Sequence, residues 1–224
     1  MPATTPRPVT LTGRHISLVP LTTDHLDDLF EAGGRDDEVW RWQGGPTPRT
    51  RDELGAKLTG LLEAAREGTY FPFAVIHRAS GRAIGWTTFL DVDEQHERLE
   101  IGWTWYGRAH WRSAVNTEAK LLLMTHAFEV LGMGRVQLKT DHLNERSQAA
   151  IARLGARREG VLRRHRLRHD GTWRDTVYFS LLAGEWPAAK ARLAARLDAG
   201  SGRGRAPADP AGSAGVGSGG TIAP

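Results

Sequence analysis

The sequence predicts an α/β domain of the α+β kind, with a mixed, mostly antiparallel sheet of about seven strands and helices on both faces. Two observations predict it. Segments in which apolar residues alternate with period two, as in strands, are interspersed with segments that carry apolar residues at helical spacing. The element order βααβββ, αβ, αββ begins with strands joined by short turns and ends with strands separated by helices, which favours a mixed sheet.

The first half of the chain is predicted to form two helices and a three-stranded meander. Residues 15–20 (HISLVP) alternate as a strand does, and the threonines and aspartate at 22–24 can cap a helix. After an irregular stretch at 33–51, leucines at helical spacing predict a helix over 51–67. Strands are then expected at 71–77, 83–90 and 99–105.

The second half of the chain alternates helices with strands. The expected elements are a helix at 117–131, a strand at 135–140, a helix at 144–154 and strands at 156–168 and 172–182. Asp170-Gly171, between the last two strands, is a strong hairpin signal.

The chain is expected to divide into four parts. These are a disordered lead at 1–8, one domain at 9–184, a helix at 185–198 and a disordered tail at 199–224. Glycine, alanine, serine and proline dominate the last part, and such a composition cannot build a packed core.

The composition excludes several classes of protein. The 224 residues are 40% hydrophobic and 25% charged, which is typical of a globular domain, and the absence of cysteine excludes disulfides and thiolate chemistry. No apolar run is long enough to span a bilayer, and the first ten residues lack the apolar core of a signal peptide. We therefore expect no membrane partner and a cytoplasmic location. The nine histidines show no HExxH or paired-ligand spacing, so we expect no metal.

The positive charge of the chain is concentrated in one segment. Net charge is only +4, but arginines crowd into residues 153–168. Arginine suits bidentate contact with phosphate, so an anionic ligand is one interpretation and a solvated basic surface is the other. No basic module with interleaved aromatic residues is present, so we expect no specific nucleic-acid partner.

A polar helix start at Arg112–Thr117 is a candidate anion site. The first N–H groups of a helix have no intrahelical acceptor, and this end of the helix carries a partial positive charge. Such a place receives phosphate readily. We therefore predict that Arg112–Thr117 holds a phosphate-bearing cofactor while other segments supply the substrate pocket.

Three blocks of residues carry a family resemblance. They are the NTEA helix start at 116–119, the Asn144-x-x-Ser147 pair, and Leu154-Gly155-Ala156 followed by Glu159-Gly160. In this order and spacing, over about residues 10–185, the chain resembles the GNAT superfamily of acetyl-CoA-dependent N-acetyltransferases. Within it, the chain is most similar to the Rim-type branch, which acetylates the amino termini of ribosomal proteins.

The resemblance implies where acetyl-CoA binds. In a GNAT fold the strands at 99–105 and 135–140 run parallel and splay apart, and the pantetheine arm enters the gap. The pyrophosphate lies on the loop before the helix, and the asparagine and serine of the second block lie along the arm. The implied cofactor-binding residues are Trp103, Trp105, Arg112, Ser113, Ala114, Val115, Asn116, Thr117, Asn144 and Ser147.

The phosphate loop departs from the family pattern Q/R-x-x-G-x-G/A. Ala114 and Asn116 stand at the two glycine positions. Glycine allows close backbone approach and positive φ, whereas alanine serves there only if φ is negative.

Glu100 is the candidate general base. An α-amino group has a pKa of about 7.7–8.0 and must lose a proton before it attacks a thioester, and a carboxylate can take that proton. Glu159 and Asp175 are alternative bases. Glu100 could instead serve the structure, by pairing across strands with an arginine or a histidine. By the resemblance, Ser147 protonates the departing thiolate; a plain helix-surface hydroxyl is its alternative.

The acceptor is expected to be a primary amine, either a protein amino terminus or a small molecule. Trp40 and Trp42, in the irregular segment that borders the acceptor pocket of this fold, are predicted to bind it, with core packing as the alternative. A rival function is a catalytically silent acyl-CoA-binding or RNA-associated module. A homodimer and a monomer are both compatible with the sequence.

Overall fold

One eight-stranded sheet, in the order β1-β2-β3-β4-β5-β6-β8-β7, organises residues 2–202, the part of the chain that the computed structural model describes. The strands are β1 (Leu11–Thr12), β2 (Ile16–Pro20), β3 (Tyr70–His77), β4 (Arg82–Asp93), β5 (Arg98–Tyr106), β6 (Arg135–Asp141), β7 (Arg157–Leu167) and β8 (Trp173–Leu182). Neighbouring strands are antiparallel except β5 and β6, which are parallel. The predicted mixed α/β sheet is confirmed. The strand beyond the expected seven is the two-residue β1, which is too short to show a period.

Helices cover both faces of the sheet, as predicted. They are α1 (Leu26–Leu29), α2 (Asp37–Trp40), α3 (Arg51–Arg66), α4 (Val115–Thr125), α5 (Glu145–Arg153) and α6 (Trp186–Gly202). The buried apolar residues of α4, α5 and α6 form one core with the sheet, and those of α1, α2 and α3 form a second core. The second core lies against β3, β4 and β5.

Local sequence explains several element boundaries. Thr50 caps α3 by accepting a hydrogen bond from the Glu53 N–H at 3.2 Å. Gly171 has a φ of +81° in the β7–β8 turn, which glycine adopts without strain. Helix α4 is tied to β2 by the buried Glu118 carboxylate, which accepts three backbone N–H groups of residues 14–16 at 2.7–2.8 Å.

The parallel strands β5 and β6 separate after three residue pairs. The last pair is Glu100 with Gln137. Beyond it the pairing of β5 with β4 shifts register, and Trp103 has a φ of +50°. A bulge of this kind bends a strand, so β5 turns away from β6 and leaves a gap between their carboxyl ends.

Two predicted boundaries are wrong. Residues 2–8 were expected to be disordered, but Ala3 packs against the core and the Thr4 N–H donates to the Leu131 carbonyl at 2.9 Å. Helix α6 extends to Gly202, past the predicted end at 198. The remainder of the predicted tail lies outside the described residues.

None of the helices described within residues 2–202 has the length and apolar character needed to cross a membrane.

Candidate active site

A cleft of about 990 Å³ opens where β5 and β6 separate. Its walls come from β5, β6, the starts of α4 and α5, the segment after α2 and the β7–β8 hairpin. The predicted residues that line it are Trp42, Glu100, Trp103, Trp105, Arg112, Ser113, Asn116, Thr117, Asn144 and Ser147. The structure therefore brings most of the predicted site into one cavity.

The start of α4 forms one end of the cleft. The Ser113 Oγ donates to the His110 carbonyl at 2.7 Å and accepts from the Val115 N–H at 3.3 Å. The first-turn N–H groups that follow have no intrahelical acceptor. Ala114 has a φ of −66°, so this position does not need the conformational freedom of glycine. The Val115 side chain is buried in the core, so only its backbone could face a ligand.

The start of α5 forms the adjacent wall. The Asn144 Oδ1 caps the helix by accepting the Ser147 N–H at 3.0 Å, as expected for asparagine at this position. Asn144 is buried and Ser147 half-buried. The cap fixes both side chains one turn apart at the mouth of the gap.

Arg146 adds a cation that the sequence did not single out. Its guanidinium lies 3.7 Å from the centre of the Trp111 ring, an arrangement that favours a cation–π contact. Burial lowers the pKa of Arg146. The charge of Glu38 opposes this effect, and the charge of Arg112 lowers the pKa further. Two guanidiniums beside a helix start suit a ligand with more than one negative charge. No sequence motif marks Arg146; only its place one residue before Ser147 could have suggested it.

Trp40 was predicted to contact the acceptor, and that prediction is wrong. The residue is 3% exposed and lies in the core, where its ring contacts those of Trp86 and Trp105 at centroid distances of 5.9 and 5.6 Å. Its Nε1 donates to the Gly33 carbonyl at 2.9 Å. A tryptophan whose apolar body is packed and whose N–H is bonded serves the core. Trp42, two residues further on, does line the cleft.

Glu100 lies at the base of the cleft, where β5 and β6 part. It is 5% exposed and accepts from Lys139 Nζ at 2.5 Å and from Gln137 Nε2 at 3.2 Å. Burial raises the pKa of Glu100, and the lowering effect of Lys139 does not cancel this. Gly102 leaves room beside the carboxylate, because a Cβ there would lie 2.9 Å from its Oε1. Glu100 therefore does pair with a basic side chain, as the structural alternative expected, but this side chain is a lysine and not an arginine or a histidine.

The two alternative bases lie elsewhere. Glu159 binds Arg135 through both carboxylate oxygens at 2.6 Å and accepts from the Ser180 hydroxyl. The hydrogen bond from Arg135 lowers the pKa of Glu159 to about 2, so this carboxylate is a weak proton acceptor. Asp175 accepts from the Arg164 N–H at 2.7 Å. Neither carboxylate lines the cleft.

Lys120 is a cleft residue that the sequence analysis missed. It is 5% exposed, and its Nζ donates to the Thr104 Oγ1 at 2.9 Å. Burial lowers the pKa of Lys120 to about 7, and no carboxylate of residues 2–202 pairs with it. Its position on α4, three residues after Thr117 and among apolar side chains, was the available signal.

Glu100 and Lys120 lie on opposite faces of the sheet. In β5, Leu99 and Ile101 belong to the core under α4, so Glu100 between them points to the other face. Beyond the bulge Thr104 faces α4 and meets Lys120. The cleft thus has a face toward α4 and α5 and a face that carries the buried carboxylate.

Within residues 2–202, no group of three or more histidine, aspartate or glutamate side chains is arranged to hold a metal ion.

Comparison with known proteins agrees with this geometry. A family model described as an acetyltransferase (GNAT) domain matches residues 15–157, more than half of the chain. A GCN5-related N-acetyltransferase from Brucella melitensis is 34% identical, with a TM-score of 0.82 over 88% of each chain. A candidate acetyltransferase from T. thermophilus is 42% identical, with a TM-score of 0.78 over 86% of this chain and 98% of that one.

Two further relatives concern the branch. YdaF of Bacillus subtilis (strain 168), named as a candidate ribosomal N-acetyltransferase, is 34% identical over 110 residues, which are 49% of this chain and 59% of YdaF. Mycobacterium smegmatis RimJ, solved in complex with CoA-disulfide, shares the fold at 24% identity and a TM-score of 0.72, over 84% of this chain and 95% of RimJ. The chain therefore belongs to the GNAT family of acetyltransferases and is an N-acetyltransferase.

Proposed function

We propose that the protein transfers the acetyl group of acetyl-CoA to a primary amine by direct attack, without a covalent enzyme intermediate. The observation that carries the proposal is the gap between β5 and β6, with an anion-receptive helix start on one side and a buried carboxylate on the other. A narrow gap between strand ends suits an extended arm, and the two ends of the cleft suit a phosphate and an amine.

The residues at the helix starts fit the coenzyme. In this proposal the N–H groups of Ser113–Thr117 and the guanidiniums of Arg112 and Arg146 hold the pyrophosphate. Asn144 and the backbone of Trp103–Trp105 border the pantetheine arm. When bound, acetyl-CoA supplies an acetyl thioester at the base of the gap.

Glu100 then acts as the general base. Its carboxylate takes a proton from the acceptor ammonium, directly or through one water, so that the amine nitrogen can attack. A carboxylate with a raised pKa is a better proton acceptor near neutral pH than an exposed one. Backbone N–H groups at the end of β5 stabilise the developing oxyanion as the C–N bond forms. When the C–S bond breaks, the Ser147 hydroxyl donates a proton to the departing thiolate, and the proton that the attacking nitrogen loses replaces it, so the products are the acetylated amine and the CoA thiol.

The acceptor is proposed to be either a protein amino terminus or a small-molecule amine. The name of YdaF, a candidate ribosomal N-acetyltransferase, favours the first. Of the two predicted acceptor residues, Trp42 lines the cleft, and it is the aromatic side chain proposed to contact the amine.

Acetyl-CoA binding and thiol release test the proposal. Coenzyme at about 100 times its Kd should stabilise the fold by roughly 3 kcal/mol and raise the melting temperature by roughly 5–10 °C. Thiol release should then appear with members of a panel of amino-terminal peptides and aminated metabolites. A melting shift without thiol release from any amine would support the silent acyl-CoA-binding rival instead. No shift at millimolar coenzyme would refute both.

A further inference from the structure

We infer that the acceptor amine carries a carboxylate, and that Arg166 and Arg174 bind this carboxylate in the acceptor half of the cleft. The inference rests on the proposed acetyl transfer and specifies its substrate class. It is carried by an arginine pair that the fold holds in the cleft with no carboxylate of its own.

Arg166 and Arg174 face each other across the β7–β8 hairpin. They are directly opposite in the antiparallel register, and both line the cleft. Like charges at opposed positions of an antiparallel pair repel. A hairpin that keeps two guanidiniums there destabilises itself unless an anion lies between them.

Neither arginine has an ion pair within residues 2–202. The Arg174 Nε is buried and has no hydrogen-bond partner among the described residues. Burial lowers the pKa of Arg174; the attraction of Asp141 opposes this, and the charges of Arg166 and Arg168 add to it. Leaving a buried donor of a charged group unpaired is costly, so this atom calls for an acceptor from outside the chain.

The other cations nearby are already neutralised. Arg168 binds both carboxylate oxygens of Asp141 at 2.8 and 2.9 Å. Lys139 pairs with Glu100 at 2.5 Å and with Asp91 at 3.0 Å. The surplus positive charge of this wall is therefore confined to the unpaired arginines.

The face of the sheet on which Arg166 and Arg174 lie indicates that they bind the acceptor and not the phosphates of the coenzyme. In β8, Val177 belongs to the core under α4, so Arg174, an odd number of residues away, points to the opposite face. Glu100 points to that same face, and its charge acts on Arg174. The helix starts proposed to hold the pyrophosphate lie on the other side. An anion on Arg174 would thus sit on the base side of the cleft.

The experiment compares acceptors that differ only in charge. One arm uses peptides with glutamate or glutamine after the amino-terminal residue, and the other uses 4-aminobutyrate against 4-aminobutanamide. We expect kcat/KM to be about ten-fold to one-hundred-fold higher for the carboxylate member in at least one arm, as for a hydrogen bond to a charged group. The arm that responds identifies the source of the anion.

Arg174→Gln and Arg166→Gln should abolish this preference and leave turnover of the neutral acceptor and the KM for acetyl-CoA unchanged. Arg163→Gln is the matched control, since Arg163 is exposed on the same strand and lies outside the cleft. Because the substitution relieves the repulsion between Arg166 and Arg174, the melting temperature of either variant should be equal or higher.

Three results would overturn the inference. They are equal kcat/KM for charged and neutral acceptors in both arms, an equal loss for both acceptors in the variants, and a raised KM for acetyl-CoA. Arg166 is exposed, so its variant tests the inference independently of Arg174→Gln. Failure of the proposed function is distinct, because no amine at all would then release thiol.

Discussion

Each face of the cleft contains a lysine, buried in the case of Lys120 and half-buried in the case of Lys139, and the two lysines differ in their partners. Lys139, on the face of Glu100, lies between two carboxylates, and their hydrogen bonds raise the pKa of Lys139 although burial opposes this. Lys120, on the face of α4, meets only the Thr104 hydroxyl, and burial lowers its pKa to about 7. The same residue type is thus kept charged on one face and close to neutral on the other.

The contrast shows how each face is built. The Glu100 face consists of charged side chains from β5, β6 and the β7–β8 hairpin, which hold one another in place. The α4 face consists of helix starts, hydroxyls, backbone groups and the cations Arg112, Lys120 and Arg146. A proton acceptor needs the first environment, and an extended arm with amides suits the second.

The largest expected effect comes from Glu100→Gln. If Glu100 is the base, kcat should fall about 100-fold or more near neutral pH, and the acidic limb of the pH–rate profile should disappear. Steady-state thiol release between pH 5.5 and 9 measures this. Glu159→Gln is the matched control and should leave the shape of the profile unchanged, because the Glu159 carboxylate is bound by Arg135 outside the cleft. Loss of the acidic limb in the control instead would move the base to Glu159.

Lys139→Met should change the pH at which the base works. Burial raises the pKa of Glu100 and Lys139 lowers it, so removal of Lys139 should raise that pKa further. The acidic limb should move to higher pH, while the plateau at high pH is retained. Lys139→Arg preserves the charge and should move the limb less. An unmoved limb in Lys139→Met would show that the pair does not tune the base.

Lys120→Met should alter the pH dependence of stability. The unfolded chain binds a proton on this lysine up to about pH 10.5, whereas the folded chain releases it near pH 7. The free energy of unfolding therefore rises with pH across this window, by about 1 kcal/mol per pH unit from this residue. Urea unfolding at pH 7.5 and 9.5 measures this. Between these two pH values, the free energy of unfolding should increase by about 2 kcal/mol less in the variant than in the unsubstituted protein. Equal gains would mean that Lys120 is charged in the folded state.

Much of the fold and of the coenzyme side of the site could be predicted from the sequence. The periods of the strands, the Asp170-Gly171 turn and the Asn144 cap are all set by residues near one another in the chain. The free N–H groups at the helix start, Ala114–Thr117, follow from helix geometry alone. These features do not depend on which elements later meet.

The Glu100 face could not be predicted in the same way. Glu100 could be chosen as a candidate base, but its partner Lys139 lies 39 residues away on a parallel strand, and local patterns carry no information about such a pairing. The arginine-rich segment could be recognised from the sequence, but the sequence did not indicate which of its guanidiniums pair with a carboxylate. Only the register of β7 and β8 separates Arg168, bound by Asp141, from the unpaired Arg166 and Arg174.

The sequence by itself determined the order of elements, the family and the proposed place of the coenzyme, because these depend on short-range periodicity and on helix ends. Tertiary structure decided the burial of Trp40, the neutralising environment of Lys120 and the charge pairs around Glu100. Burial and pairing are properties of the space between elements, and that space exists only after distant segments have packed.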